Sequence, residues 1–471
     1  MKQLIRNLLF VSVAFILVFA FLLLGIIFQQ DRSKTKLEGH EGENKLALAD
    51  QYAKAGSILD RQGVVLASSH QGKRSYAEDA LVASALVQTI GDYSHNIANT
   101  VEERYQAELT GSNRGLFKQL IFDLQGHGLR GSDLRLTLDA GLCRKAAELL
   151  EPYKASLVVL NYETGEVLCL VNTPLVPPEN VIRWENIAEG SLFNKALLGQ
   201  YTPGSTFKLI TDAAWISSDQ YQPDYQVMCK GSEPLLGPGS VLENRQDAGH
   251  GLVNRSQALA ASCNHFFGQV AVNMGAKQVF YTAENFAFNA DLNLGKLSVK
   301  TSRLEMTPQI DDYTLSWLAI GQPLEGQKLS LSPLHLAMIS GAIAQGGQMM
   351  EPHLLAEVLN PGAQSGELTH PRVAYLVGTE AAMHTLAQDM VYSVQEGMAG
   401  GAQIPGQVVG GKTGTAERAS SKGENQTDSL FTGFLQNPHC PLAIAIVVEG
   451  QWADVSSLAG QVLSYALDKY Q

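Results

Sequence analysis

Twenty-one consecutive residues, Leu8 to Phe28, carry no charge. As a helix rising about 1.5 Å per residue the run covers about 31 Å, enough to cross a hydrocarbon core. A cleaved signal peptide would have an apolar stretch of about 7–15 residues and then a small-x-small cleavage site. Here Leu24-Gly25-Ile26-Ile27-Phe28-Gln29 closes the run instead. The expectation is an uncleaved transmembrane anchor over residues 8–28, with everything after it on one side of a membrane. Lys2 and Arg6 precede the run and Arg32, Lys34 and Lys36 follow it. That balance leaves the side open under the positive-inside rule.

Beyond the anchor, residues 29–50 are polar and mixed in charge, which reads as a stalk. The 471-residue chain is 45% hydrophobic and 17% charged, so a large core is available and wholesale disorder is excluded. With 34 basic against 46 acidic residues there is no basic excess to neutralise phosphates, and nucleic acid is not an expected partner. The five cysteines, Cys143, Cys169, Cys229, Cys263 and Cys440, are odd in number and contain no C-x-x-C. The expectation is buried free thiols, with neither a disulfide framework nor a cysteine zinc site.

The periodicity places two short strands at Ile58-Leu59 and Val64–Leu66 and helices near 79–90 and 99–109. The texture changes at Gly131-Ser132. Leu134, Leu136 and Leu138 then alternate as a strand, and Ala140 to Leu150 reads as a helix. Apolar, β-branched runs at 156–160 and 167–171 flank a turn, and 431–435 and 442–448 repeat the pattern near the C-terminus. A last helix spans about 454–470, with Val455, Leu458, Ala459, Val462, Ala466 and Leu467 on one face. Early and late hairpins around a long helical middle predict an α+β fold, an antiparallel sheet with helices on both faces.

Three short motifs carry chemistry. In Tyr201-Thr202-Pro203-Gly204-Ser205-Thr206-Phe207-Lys208 a turn feeds an apolar helix. Ser205 and Lys208 then share a helical face, and a lysine buried there loses its charge readily enough to take the serine proton. The same S-x-x-K spacing at Ser33–Lys36 lies in a charged flank and means nothing, so the motif needs its context. Ser262-Cys263-Asn264 puts a hydroxyl and an amide two residues apart in a turn between helices, although Ser262 could equally be a plain N-cap. Val408-Val409-Gly410-Gly411-Lys412-Thr413-Gly414-Thr415 reads as a strand whose edge faces a ligand. Gly414 lets another backbone approach, and an extended peptide can pair there.

In this order the set S-x-x-K, S-x-N, K-T-G matches motifs of class A β-lactamases and penicillin-binding proteins. The chain resembles a class B penicillin-binding protein, a peptidoglycan D,D-transpeptidase, from about Gly56 to the C-terminus. Supporting stretches are Gly56–Gly63, Leu136–Asp139, Val158–Leu168, Ala319–Gln322, Ala342–Gly347 and Met350–His353. It departs from the family pattern at Leu430-Phe431, where Trp-Phe is frequent, at Ala55-Gly56 and at Lys195.

The resemblance implies a transmembrane helix (8–28), a stalk and small non-catalytic domain (29–132) and a transpeptidase domain (133–471). Ser205 would attack the penultimate D-Ala of a stem pentapeptide, with Lys208 as base and Ser262 and Lys412 moving the proton. Asn264, Thr413, Gly414 and Thr415 would bind the peptide, and an amine of a neighbouring stem would take the acyl group. The implied partners are stem peptides, β-lactams, the cytoplasmic membrane and a SEDS-type glycan polymerase, with the catalytic domain extracytoplasmic. No metal or organic cofactor is implied. The alternatives are a β-lactamase-like or D,D-carboxypeptidase hydrolase and a non-enzymatic activator of the polymerase. No E-x-x-L-N of the class A β-lactamase kind occurs between the second and third motifs; Asp291-Leu292-Asn293 comes nearest and lacks the glutamate.

Overall fold

The computed structural model describes residues 3, 6–7, 9–21 and 52–471, apart from 116–129, 182–186, 189, 232–248, 307–308, 362–363 and 420–424. Residues 9–21 are helical, with Leu9, Phe10, Phe15, Ile16, Leu17 and Phe21 exposed. Among the described residues no helix is long and apolar enough to cross a membrane. The 8–28 anchor extends outside the described residues, and the 29–50 stalk lies wholly outside them.

The larger sheet is five-stranded and antiparallel, in the order Val408–Ala419, Asn425–Gln436, Leu442–Val448, Ala155–Asn161, Val167–Asn172. Leu442–Val448 and Val167–Asn172 are buried along their whole length. Their unbroken apolar runs follow from cover on both faces. Pro333–Ala344 packs on one face, and Ala140–Leu150 with Val455–Tyr470 on the other. The second strand is longer than the 431–435 run expected from sequence. Its outer part, Asn425 to Ser429, is polar but pairs residue for residue with Thr415–Ala419. Asn425-Gln426-Thr427-Asp428-Ser429 holds no apolar residue, so hydrophobic patterning misses it. Among the described residues, Val408–Ala419 has no neighbour on its other side and forms the edge of the sheet.

A six-stranded sheet underlies this body, in the order Gln364–Leu368, Leu355–Asn360, Asp133–Leu136, Ile58–Leu59, Val65–His70, Lys73–Tyr76. Asp133–Leu136 runs parallel to Ile58–Leu59 and antiparallel to Leu355–Asn360. The 132/133 boundary drawn from sequence therefore runs through a sheet with strands from both sides of it. At Gly56 the chain passes so close to Ser132 that a Cβ would lie 1.9 Å from its carbonyl oxygen. A fully buried ion pair, Arg74 Nε to Glu102 at 2.9 Å, fastens this lobe, and Arg74 also donates to the Gly56 carbonyl. The single helix expected over 99–109 is two, Val101–Arg104 and Gln106–Thr110. They break at Tyr105, whose backbone leaves the helical region (φ −110°, ψ 21°) and whose ring is buried in the core.

Candidate active site

The nucleophile candidate lies one turn earlier than a simple helix start. Gly204–Phe207 forms a 3-10 turn that runs directly into the helix Lys208–Ile216. Gly204 sits at φ +52°, and a Cβ there would stand 2.3 Å from the Thr415 carbonyl oxygen. Gly414 answers from the facing strand, where a Cβ would meet Thr206 and the Pro203 carbonyl. The two glycines let the S-x-x-K turn and the K-T-G strand touch through their backbones. Gly321 does the same on the far side, at φ +81°, accepting from the Gly204 N–H at 3.1 Å. Gly204→Ala is expected to destabilise the fold by more than about 1 kcal/mol and to slow any acylation, because the side chain meets rigid backbone. A thermal midpoint equal to that of the unaltered chain would show that the turn yields.

The S-x-N motif is a turn between two helices. Arg255–Ala260 begins with a capping box between Asn254 and Gln257. Its exit places Ser262 at φ +56°, a left-handed position that normally favours glycine. Such strain is often kept where a side chain must be aimed. Cys263, not Ser262, is the N-cap of the next helix, Asn264–Met274, which disposes of the simple capping role.

These elements bring the predicted residues together. Lys208 Nζ lies 3.1 Å from Ser205 Oγ. It also lies 2.7 Å from the Ser262 carbonyl, 3.1 Å from Ser262 Oγ and 2.6 Å from Asn264 Oδ1. Lys412 Nζ is 3.0 Å from Ser262 Oγ and donates to the Thr413 carbonyl at 2.9 Å. Both amines are fully buried. Burial pulls Lys208 well below the usual lysine range, and the neighbouring Lys412 charge pulls the same way. Burial brings Lys412 down to about 7.

The donor count agrees with a neutral Lys208. The two shortest contacts go to oxygens that can only accept, and a neutral amine has two N–H bonds for them. Its lone pair is then left for a hydroxyl. Ser262 Oγ bridges the two amines, so a proton can pass between them. Because burial and the neighbouring Lys412 charge hold Lys208 well below the usual lysine range, the acid limb of acylation should lie well below pH 10. The check is a pH series with a penicillin whose own groups do not titrate in that range. An acid limb centred near 10 would mean an ordinary solvated lysine.

Ser205, Ser262, Asn264, Thr413 and Thr415 line one cleft of ≈ 420 Å³. Trp317, Ile320 and Met398 add apolar lining, and Glu417 and Thr427 add polar lining. Sequence reasoning gave these no role, nor Gln322, whose side chain donates to the Thr415 carbonyl at 3.0 Å. The stretch 319–322 was visible only as a family signature. Lys195, the departure from the family's arginine, donates to the Thr173 carbonyl and lies 3.7 Å from Glu449, which accepts from Tyr201. It holds the approach to the nucleophile turn.

A second set of residues could hold a metal. Cys229, His250 and Cys263 have donor atoms within 4.8 Å of one another. All five cysteines are buried free thiols, as the sequence reading expected, and two of them belong to this group. The signal available in the sequence was that one of them sits inside the S-x-N motif.

Residues 155–467 match the family model described as penicillin binding protein transpeptidase domain. The chain belongs to the penicillin-binding protein transpeptidase family. A curated relative, peptidoglycan D,D-transpeptidase PbpA of Mycolicibacterium smegmatis, is 26% identical over 88% of this chain and 88% of its own length. Among solved structures, the D,D-transpeptidase domain of a peptidoglycan glycosyltransferase from Eggerthella lenta is similar at 27% identity. It covers 89% of this chain and 99% of its own, with a TM-score of 0.77. The imipenem acyl-enzyme complex of penicillin-binding protein A from M. tuberculosis matches at 25% identity, covering 88% of this chain and 99% of its own, with the same TM-score of 0.77.

Proposed function

We propose that this chain is a serine-type peptidoglycan D,D-transpeptidase that β-lactams acylate at Ser205. The observation that carries the reading is the convergence of Ser205, Lys208, Ser262 and Lys412 beside an open strand edge. A donor stem peptide adds to the Val408–Ala419 edge by main-chain pairing, its terminal carboxylate at Thr413 and Thr415. Ser205 Oγ attacks the penultimate D-Ala carbonyl as its proton passes to Lys208. The backbone N–H groups of Ser205 and Thr415 hold the oxyanion, each worth about 3 kcal/mol of barrier. The C–N bond breaks, and the last D-Ala leaves with a proton relayed through Ser262 and Lys412. A neighbouring stem's amine then attacks the ester and restores the serine. Asn264 orients the donor amide and, through its Oδ1, Lys208. Incubation with an amine acceptor and a D-Ala-D-Ala donor, followed by mass analysis, tests the assignment. A crosslinked product is the expected result, and free tetrapeptide alone would make the protein a carboxypeptidase.

The same reading places the chain in the cytoplasmic membrane with its catalytic body outside, where peptidoglycan is. The charge-free 8–28 run and the exposed apolar side chains on helical residues 9–21 support it. Removing residues 1–28 is expected to move the protein from the membrane to the soluble fraction with penicillin labelling intact. Full retention on membranes would contradict an N-terminal anchor. A SEDS-type glycan polymerase is the proposed partner, on the resemblance to small class B proteins, and co-purification of the full chain is its test.

A further inference from the structure

Cys263 is fully buried between the two functional residues of the S-x-N turn. Around it the chain assembles a second thiol and an imidazole from a separate element. Cys229 ends the strand Gln226–Cys229, and His250 immediately precedes its partner Gly251–Asn254. The hairpin register sets Cys229 opposite Gly251, so His250 stands one residue along from it. Cys229 Sγ and His250 Nδ1 are 3.4 Å apart. Gly249 allows the approach: at φ +73° a Cβ there would lie 2.5 Å from the Cys229 carbonyl oxygen.

Hydrogen bonding alone gives little reason for this grouping, because thiols are weak donors and weak acceptors. As a donor set it is much better matched. Two soft thiolates and an imidazole suit zinc. A tetrahedral ion with Zn–S near 2.3 Å and Zn–N near 2.0–2.1 Å needs ligand separations of about 3.6 Å for S···N and about 3.8 Å for S···S. The S···N pair already stands at 3.4 Å, and no separation in the set exceeds 4.8 Å. Closing the set takes a movement of about 1 Å at most, within reach of side-chain rotation.

We propose that Cys229, His250 and Cys263 bind a zinc-class divalent cation and that this ion pins the S-x-N turn to the 226–254 hairpin. Each thiol gives its proton to solvent as its metal–sulfur bond forms, and the imidazole ligates as the neutral ring. Two side chains are steadied as a result. Ser262 and Asn264 flank Cys263 directly, and both contact Lys208. The ion takes no part in bond making at Ser205; Cys229, His250 and Cys263 act as positioning residues.

The test uses the full chain purified in detergent without chelator and measures zinc by plasma mass spectrometry. About one zinc per chain is expected, falling at least about fivefold in Cys229→Ser and in His250→Ala. Exchange with cobalt(II) should give a thiolate charge-transfer band in the unaltered protein that both variants lose. Circular dichroism checks that the variants fold. Should Cys229→Ser fail, His250→Ala and the cobalt spectrum of the unaltered chain still decide. The proposal is overturned by a protein that takes up no zinc when supplied with excess, or by equal zinc in the variants. A Cys229–Cys263 disulfide found by peptide mapping of freshly purified, zinc-supplied protein would also overturn it. None of these readouts depends on transpeptidation.

Discussion

Replacing Ser205 by alanine is expected to abolish covalent capture of a penicillin, with acylation falling about a million-fold, as when other serine nucleophiles are removed. Intact mass should show one stable drug adduct on the unaltered chain and none on the variant. The prediction is sharper than it looks, because the site contains two serine hydroxyls beside buried lysines. Ser262 Oγ touches both Lys208 and Lys412, and Ser205 Oγ hydrogen-bonds with Lys208. Activation by an amine therefore does not choose between them. Position does: the Ser205 turn is pressed against Thr415 through Gly204, at the strand edge where a peptide carbonyl would lie. Ser262 lies between the two amines. An adduct that persisted in the alanine variant and mapped to Ser262 would reverse these roles.

Lys208→Ala should leave a folded protein that acylates about 10²–10⁴-fold more slowly, the usual contribution of a positioned base. Stability should fall too. The half-buried Ser262 carbonyl and Asn264 Oδ1 both accept from Lys208, and each hydrogen bond lost costs about 1 kcal/mol. The two effects separate experimentally. Circular dichroism and a thermal scan report the fold, and the rate of adduct formation reports the base. A folded variant acylating at the unaltered rate would remove Lys208 from catalysis and point to Lys412 through Ser262.

Much of this was legible before any fold was seen. Strands at 155–161, 167–172 and 442–448 stand out because cover on both faces makes them continuously apolar. The motifs were readable by their order and residue types, and Gly204 and Gly414 beside them let the Thr415 and Pro203 backbones approach. Other features left no local trace. Trp317, Met398 and Glu417 join the cleft only through long-range packing. Cys229 and His250 lie on a short hairpin whose strands are too brief for a periodic pattern. Asp212 is another case: it is fully buried on the nucleophile helix, with Arg255 at 3.8 Å. Burial pushes its carboxyl upward while the guanidinium pulls it down. Arg255 also pairs with Asp389, so one arginine joins three helices. A lone aspartate in a helical sequence announces none of that.

The interleaved lobe sheet bears on biosynthesis. Asp133–Leu136 finds its first neighbour, Ile58–Leu59, soon after it is made, but Leu355–Asn360 arrives roughly two hundred residues later. Until then one flank of that strand offers unpaired amides to any passing chain. A polypeptide emerging slowly thus carries an unfinished lobe through almost half of its synthesis, and its last-made third closes what its first third began.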